Sequence, residues 1–127
     1  MPDKFRYDYA VIRVVPKVDR EEFINAGVIL YCPKQRFLKA RFVLNAERIR
    51  ALCPEADVAL IAGNLASLER IGSGAKDAGP IAALDIPSRF RWLTATRSTV
   101  VQTSRPHPGL CSDAAAKLDQ LFEQLVA

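Results

Sequence analysis

Hydrophobic and polar positions follow two periods along this chain, first two and then three to four. In "FRYDYAVIRVVP", Phe5, Tyr7, Tyr9 and Val11 fall on one face of a strand, with Ala10, Ile12 and Val14 on the other. Apolar side chains on both faces predict a strand covered on both sides for part of its length, ended by Pro16. Arg20 to Phe23 read as a helical turn before "INAGVILYCP", which is continuously apolar from Val28 to Cys32, as a central strand is. Gly27 within it marks a bulge or a close backbone approach. After the polar turn "PKQR", "RFLKARFV" alternates, with Leu38, Ala40 and Phe42 inward and Lys39 and Arg41 outward. Two such runs around a short turn predict a β-hairpin.

The period then lengthens. Asn45 is placed to cap "AERIRAL", and Pro54 suits the first position of a second helix, with Glu55 and Asp57 complementing its dipole. Val58, Ile61, Ala62, Leu65 and Leu68 recur at helical spacing, and "GSG" at 72–74 ends that helix. Gly63 inside it costs about 1 kcal/mol relative to Ala. "PIAALDIPSRFRWL" predicts a helical turn or two interrupted by Pro87, and "STVVQTS" predicts a further strand at an edge. Ser112 or Asp113 caps a last helix whose Leu118, Leu121, Phe122 and Leu125 form one apolar stripe. The order predicts an α+β fold: one domain over 1–127, an antiparallel sheet of about four strands, helices packed on it and a C-terminal amphipathic helix.

Composition narrows the class. The 127 residues suffice for one core, and no apolar stretch approaches the roughly 20 residues of a bilayer span. The N-terminal "MPDKFRYDY" has no apolar leader region, and three widely spaced Cys make no disulfide framework, so a cytoplasmic protein is expected. The net charge of +4 is unevenly spread: residues 1–50 hold eleven Lys or Arg against six carboxylates, and 51–86 hold two against five. From Ile86 to Ser112 there are four Arg (89, 91, 97 and 105) and no acid, which reads as a solvated face or as a surface for an anion or an acidic partner.

The segment 91–113 is therefore where chemistry is sought. Arg91, Arg97 and Arg105, with the hydroxyls of Ser98 and Thr99, are the types that hold a phosphate or carboxylate; Gln102 and His107 complete the candidate binding set. No Gly-rich phosphate loop accompanies them, and no cofactor is implied. No two of Cys32, Cys53 and Cys111 have zinc-site spacing, so no metal is predicted. Cys111 precedes a helix N-terminus with His107 four residues back, but no carboxylate is in place to orient the imidazole, and no catalytic residue is assigned. "RFLKARFV" lacks the glycines and second aromatic of an RNA-recognition strand, so nucleic acid is not the expected partner.

Two stretches, "YDYAVIRVVPKVDREEFINAGVILYCP" at 7–33 and "RFRWLTATRSTVVQTSRPHPGLC" at 89–111, resemble a bacterial family known only as domain of unknown function 3037. The resemblance runs over essentially the whole chain. It implies no reaction, but members are often encoded beside a HipA-type kinase-like protein, which implies that protein as a partner. The positions that match are Arg13, Glu22, Asn25 and Gly27 in the first stretch, and Trp92, Arg97, Ser98, Gln102, His107 and Cys111 in the second. Gly27 reads as backbone geometry and Trp92 as core. The family has Pro where this chain has Thr96, leaving the backbone before Arg97 less constrained. Two functions are thereby open: a non-catalytic interaction module for a kinase-like partner, or a small-anion or nucleotide-binding protein or enzyme built on 91–113.

Overall fold

The computed structural model describes residues 4–95, 97 and 99–127, so Thr96 and Ser98 lie outside the description. Strand β1 (Phe5–Val14) pairs antiparallel with β2 (Ile24–Cys32), which pairs antiparallel with β3 (Phe37–Phe42). The β2–β3 hairpin turns through a short 3₁₀ segment, Pro33–Gln35, closed by Arg36 in the left-handed region at φ 49°. The other edge of β1 is shared by two short strands laid end to end. β4 (Val101–Thr103) pairs with Ile12–Val14, and β5 (His107–Cys111) pairs with Phe5–Tyr9. The sheet thus has five strands.

Ser104 joins the two short strands. Its N–H donates to the Val11 carbonyl, and its hydroxyl accepts from the Val11 N–H at 2.8 Å, so a side chain stands in for the main chain where the ladder would otherwise break. The segment 107–111, which loops in a reading of its Pro residues, is strand because Pro108 lies opposite Asp8 on the outermost edge, where a missing N–H is tolerated.

Helices cover both faces. α1 (Ala46–Leu52), α2 (Val58–Ser73) and α3 (Ile86–Leu93) lie on one, and Ile12, Val14, Ile29, Ile61, Leu65, Phe90 and Leu93 form its core. α4 (Ala114–Leu125) lies on the other, over Tyr7, Val28, Leu30 and Cys32, with Leu118, Leu121 and Phe122 turned inward. The two-sided patterns of β1 and β2 follow from this sandwiching. Asn45, Asp57, Asp85 and Asp113 cap the four helices through their side chains, and Gly74 in the left-handed region at φ 71° closes α2.

Gly27 is where β2 changes face. The register with β1 slips between Ile12 and Arg13, and Ala26 joins the α2 core whereas Val28 joins the α4 core. A Cβ on Gly27 would overlap the Arg41 carbonyl and the Phe42 Cβ, so bulge and close approach coincide there.

Four expectations need correction. The helical turn before β2 is Val18–Arg20 and not Arg20–Phe23. Pro54 does not open α2: Asp57 caps it by accepting from the Leu60 N–H, and Pro54 lies in the preceding turn. Pro87 does not interrupt a helix but stands in the first turn of α3, where its missing N–H is no loss. Arg41 is not a purely outward charge, since it lies over the Phe122 ring at 4.2 Å and pairs with Asp119 at 2.8 Å, clamping α4 to β3.

Candidate functional site

The acid-free arginine run is largely engaged by the protein itself. Arg89 donates to the Leu84 carbonyl at 2.7 Å, and Arg91, exposed on α3, donates to the Ser88 hydroxyl at 3.2 Å. Arg97 donates to the Trp92 carbonyl and stacks its guanidinium 4.3 Å from the centre of the Trp92 ring. Main-chain carbonyls, a hydroxyl and an aromatic face engage these cations where the sequence supplies no acid, although Arg89 Nε has no partner among the described residues. Arg105, in the connector between β4 and β5, is exposed and makes no side-chain hydrogen bond among the described residues.

Trp92 is not core. It is 37% exposed, and with Arg97 it forms one wall of a shallow cavity of about 200 Å³ between α2, α3 and β4. Asn64, Ser67, Leu68, Ile71, Thr99 and Val101 line the rest. Ser98, the adjoining candidate hydroxyl, lies outside the described residues.

Gln102 and His107 do not share that cavity. Gln102 lies opposite Arg13, and His107 opposite Tyr9, on the face of β1 turned toward α4. The His107 ring packs against Tyr9 at 5.3 Å, and the Gln102 amide donates to the Thr99 carbonyl at 2.8 Å. α4 packs mainly over β2 and β3, and although Tyr7 and Cys111 are buried in its core, Tyr9, Arg13, Gln102 and His107 stay half-buried. The candidate residues of 91–113 therefore divide between a cavity on the helical face and a strip of sheet on the other.

The strip carries residues that the composition of 91–113 does not reveal. Arg13 stacks on the exposed Phe23 ring at 4.3 Å, and Asn25, its cross-strand neighbour, donates through Nδ2 to the Leu125 carbonyl at the end of α4 at 3.1 Å. The sequence signal is one charge on the Tyr9–Val11–Arg13 face of an otherwise apolar run.

Cys111 does not sit as an activated nucleophile. It is buried in the α4 core, and burial followed by the adjacent Cys32 pushes its thiol above the ordinary range. The α4 N-terminus behind it is already occupied by the Asp113 carboxylate, and the His107 ring packs on Tyr9. Among the described residues no three His, Cys, Asp or Glu side chains gather as a metal site, and no helix is long and apolar enough to cross a membrane.

Fold and surfaces together define a small α+β domain, an antiparallel sheet between one helix and three, with an arginine-bearing surface on each side. The chain belongs to the family described as a protein of unknown function, DUF3037, whose model matches residues 9–126. No curated protein and no solved structure matches it.

Proposed function

We propose that the protein is a non-catalytic recognition module that binds a partner protein, the kinase-like protein implied by the family resemblance. The observation that carries this reading is the division of the candidate residues. Arg97 and Thr99 line a cavity on one face, whereas Gln102 and His107 lie on the other, so among the described residues the candidate anion holders do not converge on one point. What these residues do present is characteristic of binding surfaces: an exposed Trp with an Arg held over its ring, beside a shallow cleft of mixed polar and apolar lining. Fixing the guanidinium in advance reduces the side-chain entropy lost on association.

Co-expression with the kinase-like protein encoded beside family members, followed by size-exclusion chromatography, tests the reading. A single co-eluting peak that Trp92→Ala splits is expected. Two separate peaks at micromolar concentration would count against a partner of this kind, and turnover of a small anionic substrate that depends on Arg97 would replace recognition by catalysis.

A further inference from the structure

Beside the cavity at Trp92 lies a second one of about 220 Å³, whose lining includes Lys17, Glu55, Asp57, Leu60, Ile61 and Val100. The two cavities share their walls. Val100 lines the second, and its chain neighbours Thr99 and Val101 line the first. Along α2, Leu60 and Ile61 line the second, and Asn64, Ser67 and Leu68 line the first. From Ile61 to Leu68 is two helical turns, about 10 Å. α2 and the 99–101 segment therefore wall one groove with two hollows along it.

The groove is open to solvent and carries no charge along its α2 wall. Leu60 is 52% exposed, Ser67 and Thr99 are also exposed, and no charged residue stands between Val58 and Leu68. Large apolar side chains left exposed around a concave surface mark a place that a partner covers. The two ends differ in charge. At the Trp92 end, Arg97 has donors beyond the one given to the Trp92 carbonyl, and none of the ion pairs among the described residues includes it. At the other end, Glu55 and Asp57 outnumber Lys17.

An occupant of this groove brings apolar side chains about 10 Å apart and main chain that needs no partner, because the interior of α2 has its own N–H and C=O groups already paired. An α-helix meets both demands. Its internal ladder satisfies its main chain, and its residues i and i+7 recur at the spacing of the hollows. Helices favour acids in the first turn and bases in the last. That order matches the groove when the bound helix runs antiparallel to α2, with its first turn at Arg97 and its last at Glu55 and Asp57.

We propose that α2, Trp92, Arg97 and the 99–101 segment form the docking groove for an amphipathic α-helix of the partner protein, lying antiparallel to α2. Apolar side chains at i and i+7 enter the two hollows, and a first-turn carboxylate pairs with the Arg97 guanidinium that Trp92 holds in place. This rests on the reading of the protein as a recognition module and adds the shape, direction and charge of what it recognises.

The test is an NMR titration of the full ¹⁵N-labelled chain with an N-acetylated, C-amidated, Ala-based peptide of about 18 residues, long enough to be partly helical alone. It carries Leu at two central positions i and i+7, Glu in its first turn and Lys in its last. The comparators are the same peptide with a central Pro, which breaks the helix, and one with both Leu replaced by Ser. Saturable shifts of the Leu60 and Ser67 amides and the Trp92 indole N–H are expected with the helical peptide and with neither comparator. Asn64→Lys sets a long side chain across the groove at a helical position where Lys is as favourable as Asn, so it is expected to weaken binding at least about tenfold with the melting temperature kept. Arg97→Glu is expected to weaken binding by a similar factor, and binding recovers with a peptide whose first-turn Glu are replaced by Lys. Equal shifts with the Pro peptide, shifts confined to other surfaces, or no shift in the wild-type protein would each overturn the proposal, and the wild-type titration decides even where a variant does not fold. A complex with the kinase-like protein that survives both substitutions removes this groove and leaves the recognition reading standing. A positive titration where no such complex forms keeps the groove and removes that partner.

Discussion

The Arg97 guanidinium lies over the ring of Trp92, 4.3 Å from its centre, and donates to the carbonyl of the same residue. One side chain is thus held twice by a residue five positions earlier, and the exposed Trp is held in turn. Stacking at an exposed site contributes about 0.5–1 kcal/mol, so Arg97→Ala is expected to lower unfolding free energy by about 1 kcal/mol while leaving the fold intact. Arg105→Ala, at an exposed position, is expected to change it by less than about 0.5 kcal/mol. Urea denaturation of both variants and of the double variant checks this. Loss of cooperative unfolding in the double variant would make the arginines scaffold rather than surface.

Ser104→Ala is expected to cost about 1–3 kcal/mol, because the Val11 N–H then loses its acceptor at a buried position. Hydrogen exchange localises the effect: the Val11 amide should exchange faster, ahead of its neighbours in β1. An unchanged Val11 amide would show that the hydroxyl is not its acceptor in solution.

Two glycines should respond in opposite directions to Ala. A Cβ on Gly109 would enter the ring of Tyr7, which lies across β5, so Gly109→Ala is expected to cost roughly 1–3 kcal/mol, partly recovered by Tyr7→Leu. A Cβ on Gly63, inside α2, meets open space, so Gly63→Ala is expected to gain about 1 kcal/mol. Thermal melts of the two variants provide the comparison, and a destabilised Gly63→Ala would contradict the exposed helix position.

Leu30→Asp is expected to abolish folding. Leu30 is 0% exposed between the α4 core and the middle of the sheet, and an unpaired carboxylate there costs several kcal/mol, comparable to the roughly 5–15 kcal/mol that holds a small domain together. A soluble variant with a cooperative melt would contradict the placement of β2.

All three thiols are buried, so a chromogenic disulfide reagent at neutral pH is expected to find no fast-reacting Cys in the native protein and three after denaturation. The sign of the pH effect at Cys111 follows from its raised pKa. The folded state holds the thiol proton more tightly than the unfolded chain, so this contribution is complete below the ordinary thiol range and is lost as pH rises through the folded value. Rapid labelling of Cys111 at neutral pH would reverse the assignment of that residue as packing. Cys111→Ser should leave partner binding intact.

Much of the architecture is legible in local pattern because local forces set it. The two-sided apolar runs of β1 and β2, the β2–β3 hairpin, the caps Asn45 and Asp113 and the stripe of α4 all rest on periods and capping groups within a dozen residues. The site was less legible. "STVVQTSRPHPGLC" reads as one strand and a loop, because the hydroxyl that bridges β4 to β5 acts on Val11, ninety-three positions away. Trp92 reads as core because size and apolarity are visible in sequence, whereas its exposure depends on where α3 meets β4.

By itself, then, the sequence determined the α+β class, the order of elements apart from β5, the apolar faces and a concentration of arginine without acid in 86–112. Only the tertiary structure decided what those arginines do. Chain carbonyls and a Trp ring, invisible in a count of charges, engage Arg89 and Arg97, while Arg13, which looks like one stray charge in a strand, stacks on the Phe23 ring. The physical reason is that charge satisfaction is set by distance and burial, which the path of the chain around α3 fixes for Arg89 and Arg97 and cross-strand register fixes for Arg13.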